Sequence, residues 1–211
     1  MLIHILLGFL TFWLIIVTSC LAFYFFIAWP FAIISLYRFR LLFYQERISV
    51  LESLPTSPAT ISGELPEAIG YGLDGTNIFI VPHFAAIGEL IGVSYKKSAI
   101  VISDFLSEMP DFKKFIIAHE AGHKLILISS RSSFLYIIRP YRRTTREEIE
   151  CDHFAAKILS TQKAISGLEA LRLLAFPIDL PGVQPGNDLI RTELDIRIMS
   201  LHLPTLFRQY A

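Results

Sequence analysis

The chain has 211 residues, its 19 basic residues are balanced by 19 acidic ones, and 53% of its residues are hydrophobic. Nucleic-acid-binding proteins usually carry a basic stripe, so the zero net charge argues against a nucleic-acid partner. A mean hydropathy of +0.52 is too high for an ordinary soluble protein. We therefore expect part of the chain to lie in a lipid bilayer.

The apolar excess is concentrated at the N-terminus. No residue from Ile5 to Leu36 is charged, and this run is much longer than the roughly 18 apolar residues that indicate a membrane-spanning helix. We predict a transmembrane segment within residues 1–37. One straight helix of this length would exceed the roughly 30 Å of the hydrocarbon core, so the segment would tilt, bend near Pro30 or form a tight hairpin near Ser19.

The orientation of the segment follows from its flanking charges. Arg38, Arg40 and Arg47 come after the apolar run, and no lysine or arginine precedes it. Cytoplasmic flanks carry the excess of basic residues, so we expect a protein of the cell membrane whose remaining chain faces the cytoplasm. A disulfide between Cys20 and Cys151 is not expected in that reducing compartment.

The rest of the chain divides into a connecting region and a folded domain. Residues 38–69 begin as a basic amphipathic helix and continue into a stretch rich in proline and glycine, which indicates a linker. Residues 70–211 then contain short β-like runs starting at Asn77 and Ser98, followed by helical patterns. These patterns predict an α+β domain, mostly helical with a small antiparallel sheet.

Two helix starts are marked by specific residues. Pro110 and Asp111 stand where the first turn of a helix favours them, and Thr144 and Glu147 have the spacing of a capping box. A final helix is predicted over residues 189–203.

The first of these helices carries the sequence HEAGH, an HExxH pattern. His119 and His123 are four residues apart, so on a helix both imidazoles reach the same metal ion. Glu120 is placed to accept a proton from a zinc-activated water and to pass it to the leaving amine. Chance would produce this pattern in a chain of this composition about once in a hundred. We therefore predict a zinc site with Glu120 as the catalytic general base.

A catalytic zinc usually has three protein ligands, and the next helix supplies the candidates for the third ligand. Glu148 and Asp152 are again four residues apart, and Ala155 continues the same face with a small side chain. We predict that Glu148 is the third ligand and that Asp152 accepts the free N–H of a ligand histidine. Glu147 and Glu150 are the competing ligands, but Glu147 matches the capping box and Glu150 points away from this face.

These motifs resemble the gluzincin metallopeptidases, in particular the membrane endopeptidases of the CAAX-prenyl-protease and HtpX type. The resemblance rests on NIF at residues 77–79, on AIVISDFLSEMPDFKKFIIAHEAGH, on EEIECDHFA and on RIMSL at residues 197–201. It implies a zincin-like fold over roughly residues 70–205. It also implies one zinc ion on His119, His123 and Glu148, with Glu120 as base and Asp152 behind the ligands.

The same motifs leave alternatives for the function. The sequences FIIAHEAGH and ECDHFAAKIL are also similar to the ImmA/IrrE-type metallopeptidases, which cleave DNA-binding repressors, and a non-catalytic zinc-binding scaffold is a third possibility. The family's histidine-proline pair is replaced by Arg191 and Thr192. The residue that stabilises an oxyanion is therefore open, with Arg191 and Arg197 among the candidates. For a protein or peptide substrate, we expect SAIVIS, from Ser98, to act as the edge strand that pairs with it.

Overall fold

The structure is a computed structural model that describes residues 2–54, 58–82, 86–94, 97–129, 144–175 and 186–203. The described residues are mostly helical, with a small mixed sheet and a long apolar helix at the N-terminus. The chain divides into two compact units, residues 1–43 and residues 44–211.

The N-terminal helix is long and apolar enough to cross a membrane, and it is the one such helix in the described part of the chain. It consists of α1 (Leu2–Phe23), a π-helical turn (Tyr24–Ala28) and α2 (Trp29–Glu52). Its large apolar side chains are exposed, for example Phe26 at 81% and Phe31 at 71%. The helix contains no reverse turn near Ser19, so the hairpin alternative does not occur.

The π-helical turn has a local cause in Pro30. Proline has no N–H to donate, and its ring crowds the carbonyl group four residues earlier, which belongs to Phe26. In the structure, the N–H of Trp29 instead donates to the carbonyl of Tyr24, five residues back. The irregularity next to Pro30 is therefore a single wide turn within an otherwise continuous helix.

The described residues of the second unit form the remaining elements. Its strands are β1 (Ala59–Thr60), β2 (Asn77–Val81), β3 (Gly88–Ser94) and β4 (Lys97–Ser103). Its α-helices are α3 (Ile61–Glu64), α4 (Pro110–Ser129), α5 (Thr145–Leu159), α6 (Thr161–Ala175) and α7 (Gly186–His202). Short 3₁₀ turns cover Pro66–Ala68 and Asp104–Glu108.

The sheet differs from the prediction in two respects. Its strand order is β1-β2-β4-β3, and β2 and β4 are parallel while the outer pairs are antiparallel. The prediction of an antiparallel sheet was therefore wrong. The prediction that SAIVIS is the edge strand was also wrong, because this segment belongs to β4, which has β2 on one side and β3 on the other. The strand at that edge is β3, which the sequence reading did not identify.

Each face of the sheet is covered by helical structure. On one face, Ile78, Leu90 and Ile100 join a large core with α4, α5 and α6. On the other face, the end of α2 packs Ile48 and Leu51 against a smaller cluster that includes Phe79 and Val101. The end of α2, from residue 44 onwards, therefore belongs to the same compact unit as the sheet.

The predicted helix starts are confirmed. Helix α4 begins at Pro110, and Thr144 caps α5 in a complete capping box with Glu147. The predicted final helix corresponds to α7. Helix α6 was not predicted from the sequence. The basic cluster at residues 139–143 and most of the loop before α7 lie outside the described residues.

Candidate metal centre

Helix α4 places the three polar residues of the HExxH pattern in the protein interior. His119, Glu120 and His123 are exposed by only 5%, 4% and 4%. Each offers a donor atom within 4.8 Å of those of the other two, so the group could hold a metal ion. Buried polar groups of this kind are costly unless they are partnered, so their clustering calls for partners from other elements.

Glu148 of α5 reaches this group from the neighbouring helix. Its Oε2 lies 3.1 Å from Nε2 of His119, and its Oε1 lies 3.2 Å from Nε2 of His123. The two Nε2 atoms are themselves 3.2 Å apart. Zinc–nitrogen bonds of 2.0–2.1 Å in a tetrahedral site place neighbouring donor atoms about 3.3–3.4 Å apart. The spacing of these donors is therefore close to the one that a single tetrahedral metal ion requires.

The close approach of α4 and α5 depends on Gly122, which lies between the two histidines. A Cβ atom at this position would lie 2.9 Å from Cα and 3.0 Å from Cβ of Cys151. No side chain fits at such distances without moving one of the helices. The glycine of HEAGH therefore lets α5 come near enough for Glu148 to reach both imidazoles.

Asp152 and Arg197 form a second layer behind the donor atoms. Oδ1 of Asp152 lies 2.8 Å from Nδ1 of His119. When that Nδ1 carries the proton, it donates to Asp152, and Nε2 is left as the free donor atom for a metal. Arg197 of α7 donates to both oxygens of Asp152, at 2.7 and 2.9 Å, and its Nη1 lies 3.1 Å from Oε2 of Glu148.

The charges of this cluster are strongly coupled. Burial disfavours the charged imidazole of His119, but its hydrogen bonds with Asp152 and Glu148 outweigh burial and raise its pKa to about 9. Burial also opposes ionisation of Glu148 and Asp152, yet their contacts with the histidines and Arg197 hold the pKa of each carboxyl well below its usual range. The two carboxylates therefore favour a positive charge at the imidazoles, which either a proton or a metal ion satisfies.

Glu120 has a different environment from Glu148. Its Oε2 accepts a hydrogen bond of 2.8 Å from the backbone N–H of Leu90 on β3. The glutamate is thus attached to the edge strand, whereas Glu148 faces both histidines. The two glutamates therefore differ in their partners: one oxygen of Glu120 is bound to β3, and both oxygens of Glu148 lie near the imidazoles.

The remaining sequence candidates lie elsewhere. Glu147 completes the capping box with Thr144, and Glu150 pairs with Arg146 on the exposed surface, so neither competes with Glu148. Arg197, a candidate for stabilising an oxyanion, instead lies behind the ligands and contacts their carboxylates. Arg191 is half-buried on α7.

Sequence reasoning missed two contributions to the centre. The segment RIMSL indicated that Arg197 belongs to the site, but it did not indicate a contact with Asp152. No sequence pattern indicated the contact between Leu90 and Glu120, because Leu90 makes it with its backbone.

Comparisons of the chain with protein-family models, curated proteins and solved structures found no match.

Proposed function

We propose that the protein is a membrane-anchored, zinc-dependent endopeptidase. The main support is the arrangement of His119, His123 and Glu148, whose donor atoms lie 3.1–3.2 Å from one another beside the carboxylate of Glu120. A structural zinc site usually has four protein ligands, whereas three ligands and an adjacent carboxylate are typical of a hydrolytic site. The resemblance to gluzincins agrees with this proposal.

The proposed chemistry assigns distinct tasks to the residues. Zinc bound at this centre would lower the pKa of a water molecule and polarise a peptide carbonyl. Glu120 would be placed to accept a proton from the attacking water and to deliver one to the leaving amine. Asp152 holds His119 in the tautomer and orientation that metal binding requires, and Arg197 keeps Asp152 ionised and in place.

An extended segment of a protein substrate would pair with β3, in place of the strand expected from the sequence. β3 is at the edge of the described sheet and lies against α4, the helix that carries Glu120. Pairing through the backbone selects for extended conformation rather than for particular side chains. This mode of binding suits unfolded or membrane-proximal segments as substrates.

The membrane assignment combines the long apolar helix with the distribution of charge. Arg38 and Arg40 follow the apolar run, which supports a cytoplasmic location for the folded unit. The same site is compatible with two alternative functions. One is cleavage of a repressor-like protein by a tethered regulatory peptidase, and the other is zinc binding without catalysis.

The proposal is tested by zinc content and by proteolysis of an unfolded casein-like protein, using detergent-purified full-length chain. Glu120→Gln should retain one zinc and lose activity, and Glu148→Ala should lose the zinc. Glu150→Ala, on the exposed side of the same helix, is the matched control and should behave as the wild type does. A wild-type protein that holds zinc but cleaves neither this protein nor co-expressed repressors would refute the endopeptidase proposal and favour a scaffold.

A further inference from the structure

Contacts at two adjacent residues connect the edge strand β3 to helices α4 and α2. At Leu90, the backbone N–H donates to Oε2 of Glu120. At Glu89, the carboxylate forms a bidentate ion pair with Arg47 near the end of α2, with N–O distances of 3.1 and 3.0 Å. The side chains of Arg47 and Glu89 are only 28% and 15% exposed, so water screens this pair less than a surface pair.

The position of β3 depends on such contacts because this strand pairs with β4 alone among the described strands. The ladder is irregular between Gly92 and Ser94, which weakens the pairing at the far end of the strand. Hydrogen bonds alternate in direction along an antiparallel strand. Since Leu90 donates its N–H to Glu120, this group faces away from β4 and has no part in the ladder.

The strand also lies directly on α4. A Cβ atom at Gly88 would lie 2.4 Å from Cγ2 of Ile116 and 3.6 Å from Cγ of Glu120. A small displacement of β3 across the helix would therefore change the hydrogen bond to Glu120. Arg47 opposes such a displacement through its bonds to Glu89, and Ile48 and Leu51 of the same helix pack on the other face of the sheet.

We propose that Arg47 and Glu89 are positioning residues that hold the edge strand so that the N–H of Leu90 orients the carboxylate of Glu120. The planar guanidinium makes two parallel hydrogen bonds to the carboxylate, which restrains direction as well as distance. The end of the anchor helix thereby takes part in arranging the candidate catalytic base. The consequence for turnover rests on the proposed endopeptidase function, whereas the mechanical link does not.

The link is tested first without activity, by amide hydrogen exchange of Leu90 in metal-free, full-length protein in detergent. Arg47→Gln and Glu89→Gln should each accelerate exchange at Leu90 by about tenfold or more, because the strand leaves its acceptor. The double variant Arg47→Glu with Glu89→Arg should restore most of the protection. Arg172→Gln, which breaks the exposed pair with Asp195, is the matched control and should leave exchange at Leu90 unchanged. Exchange that is unchanged in both single variants, or equally accelerated in the control, would overturn the proposal.

The second measurement is turnover by the zinc-loaded variants. The single variants should keep their zinc while kcat falls by about tenfold; KM should rise by a smaller factor, because the substrate pairs with the same strand, and the charge-reversed pair should recover kcat. A fall in zinc content that parallels the loss of activity, or a change in KM alone, would contradict a role in orienting Glu120. If the wild type cleaves nothing, the endopeptidase proposal fails, and the exchange data still decide the link.

Discussion

Replacement of Gly122 by alanine should separate the proposed metal ligands, because this position sets the distance between α4 and α5. The added Cβ would lie 2.9 Å from Cα of Cys151, whereas carbon atoms in contact prefer about 3.5–4.0 Å. The helices would have to move apart by roughly 0.5–1 Å to make room. Metal–ligand distances tolerate only about 0.2 Å, so Glu148 would no longer complete the site.

The effect on stability should be smaller than the effect on the metal. Overpacking costs about 1–3 kcal/mol, but alanine is favoured over glycine in a helix by about 1 kcal/mol. We therefore expect a net loss of about 0–2 kcal/mol in the free energy of unfolding of the metal-free protein. Zinc affinity should fall by about tenfold or more.

Denaturant unfolding of the metal-free protein and zinc titration against a competing chelator measure these two quantities. Gly63→Ala is the control, because its new Cβ would lie at an ordinary 3.4 Å from the side-chain oxygen of Thr60. If Gly122→Ala kept its zinc affinity within about twofold, the spacing of the two helices would not be what brings Glu148 to the histidines.

Three further predictions concern the residues around the centre. Thr144→Ala should lower the free energy of unfolding by about 0.5–2 kcal/mol through loss of the cap of α5, while zinc content is retained; unchanged unfolding would contradict the role of the cap. Asp152→Asn should weaken zinc binding by about 10–100-fold, as measured by chelator competition, and should destabilise the protein because Arg197 loses a buried partner; wild-type affinity would refute the orienting role. Zinc affinity should rise with pH up to about 9, because the metal must displace a proton from His119, whose neighbours are Asp152, Glu148 and Arg197. A zinc affinity that does not change between pH 7 and 9 would contradict the raised pKa of His119.

Features that depend on nearby residues were predicted well from the sequence. The apolar run, the capping box at Thr144 and the helix start at Pro110 all involve residues within one or two turns of one another. The strand β3 was missed because its two glycines, Gly88 and Gly92, weaken the β-pattern. The glycine at position 88 is explained by packing instead, since it allows the strand to lie against Ile116.

The choice of contacts between elements needed the tertiary structure. The sequence favoured Glu148 over Glu147 and Glu150 by its position on the helix, and the packing of α5 on α4 shows that its carboxylate faces the histidines. The sheet order likewise placed β3, and not the segment from Ser98, at the edge.

The sequence by itself determined that His119 and His123 lie on one face of a helix with Glu120 beside them, because the helical repeat relates residues four apart wherever the helix lies. Only the tertiary structure decided which groups meet that face. The distance from Glu148 to the imidazoles, and the link from Arg47 through β3 to Glu120, depend on how separate elements pack. Such packing is set by the shapes of many side chains at once, which no local pattern records.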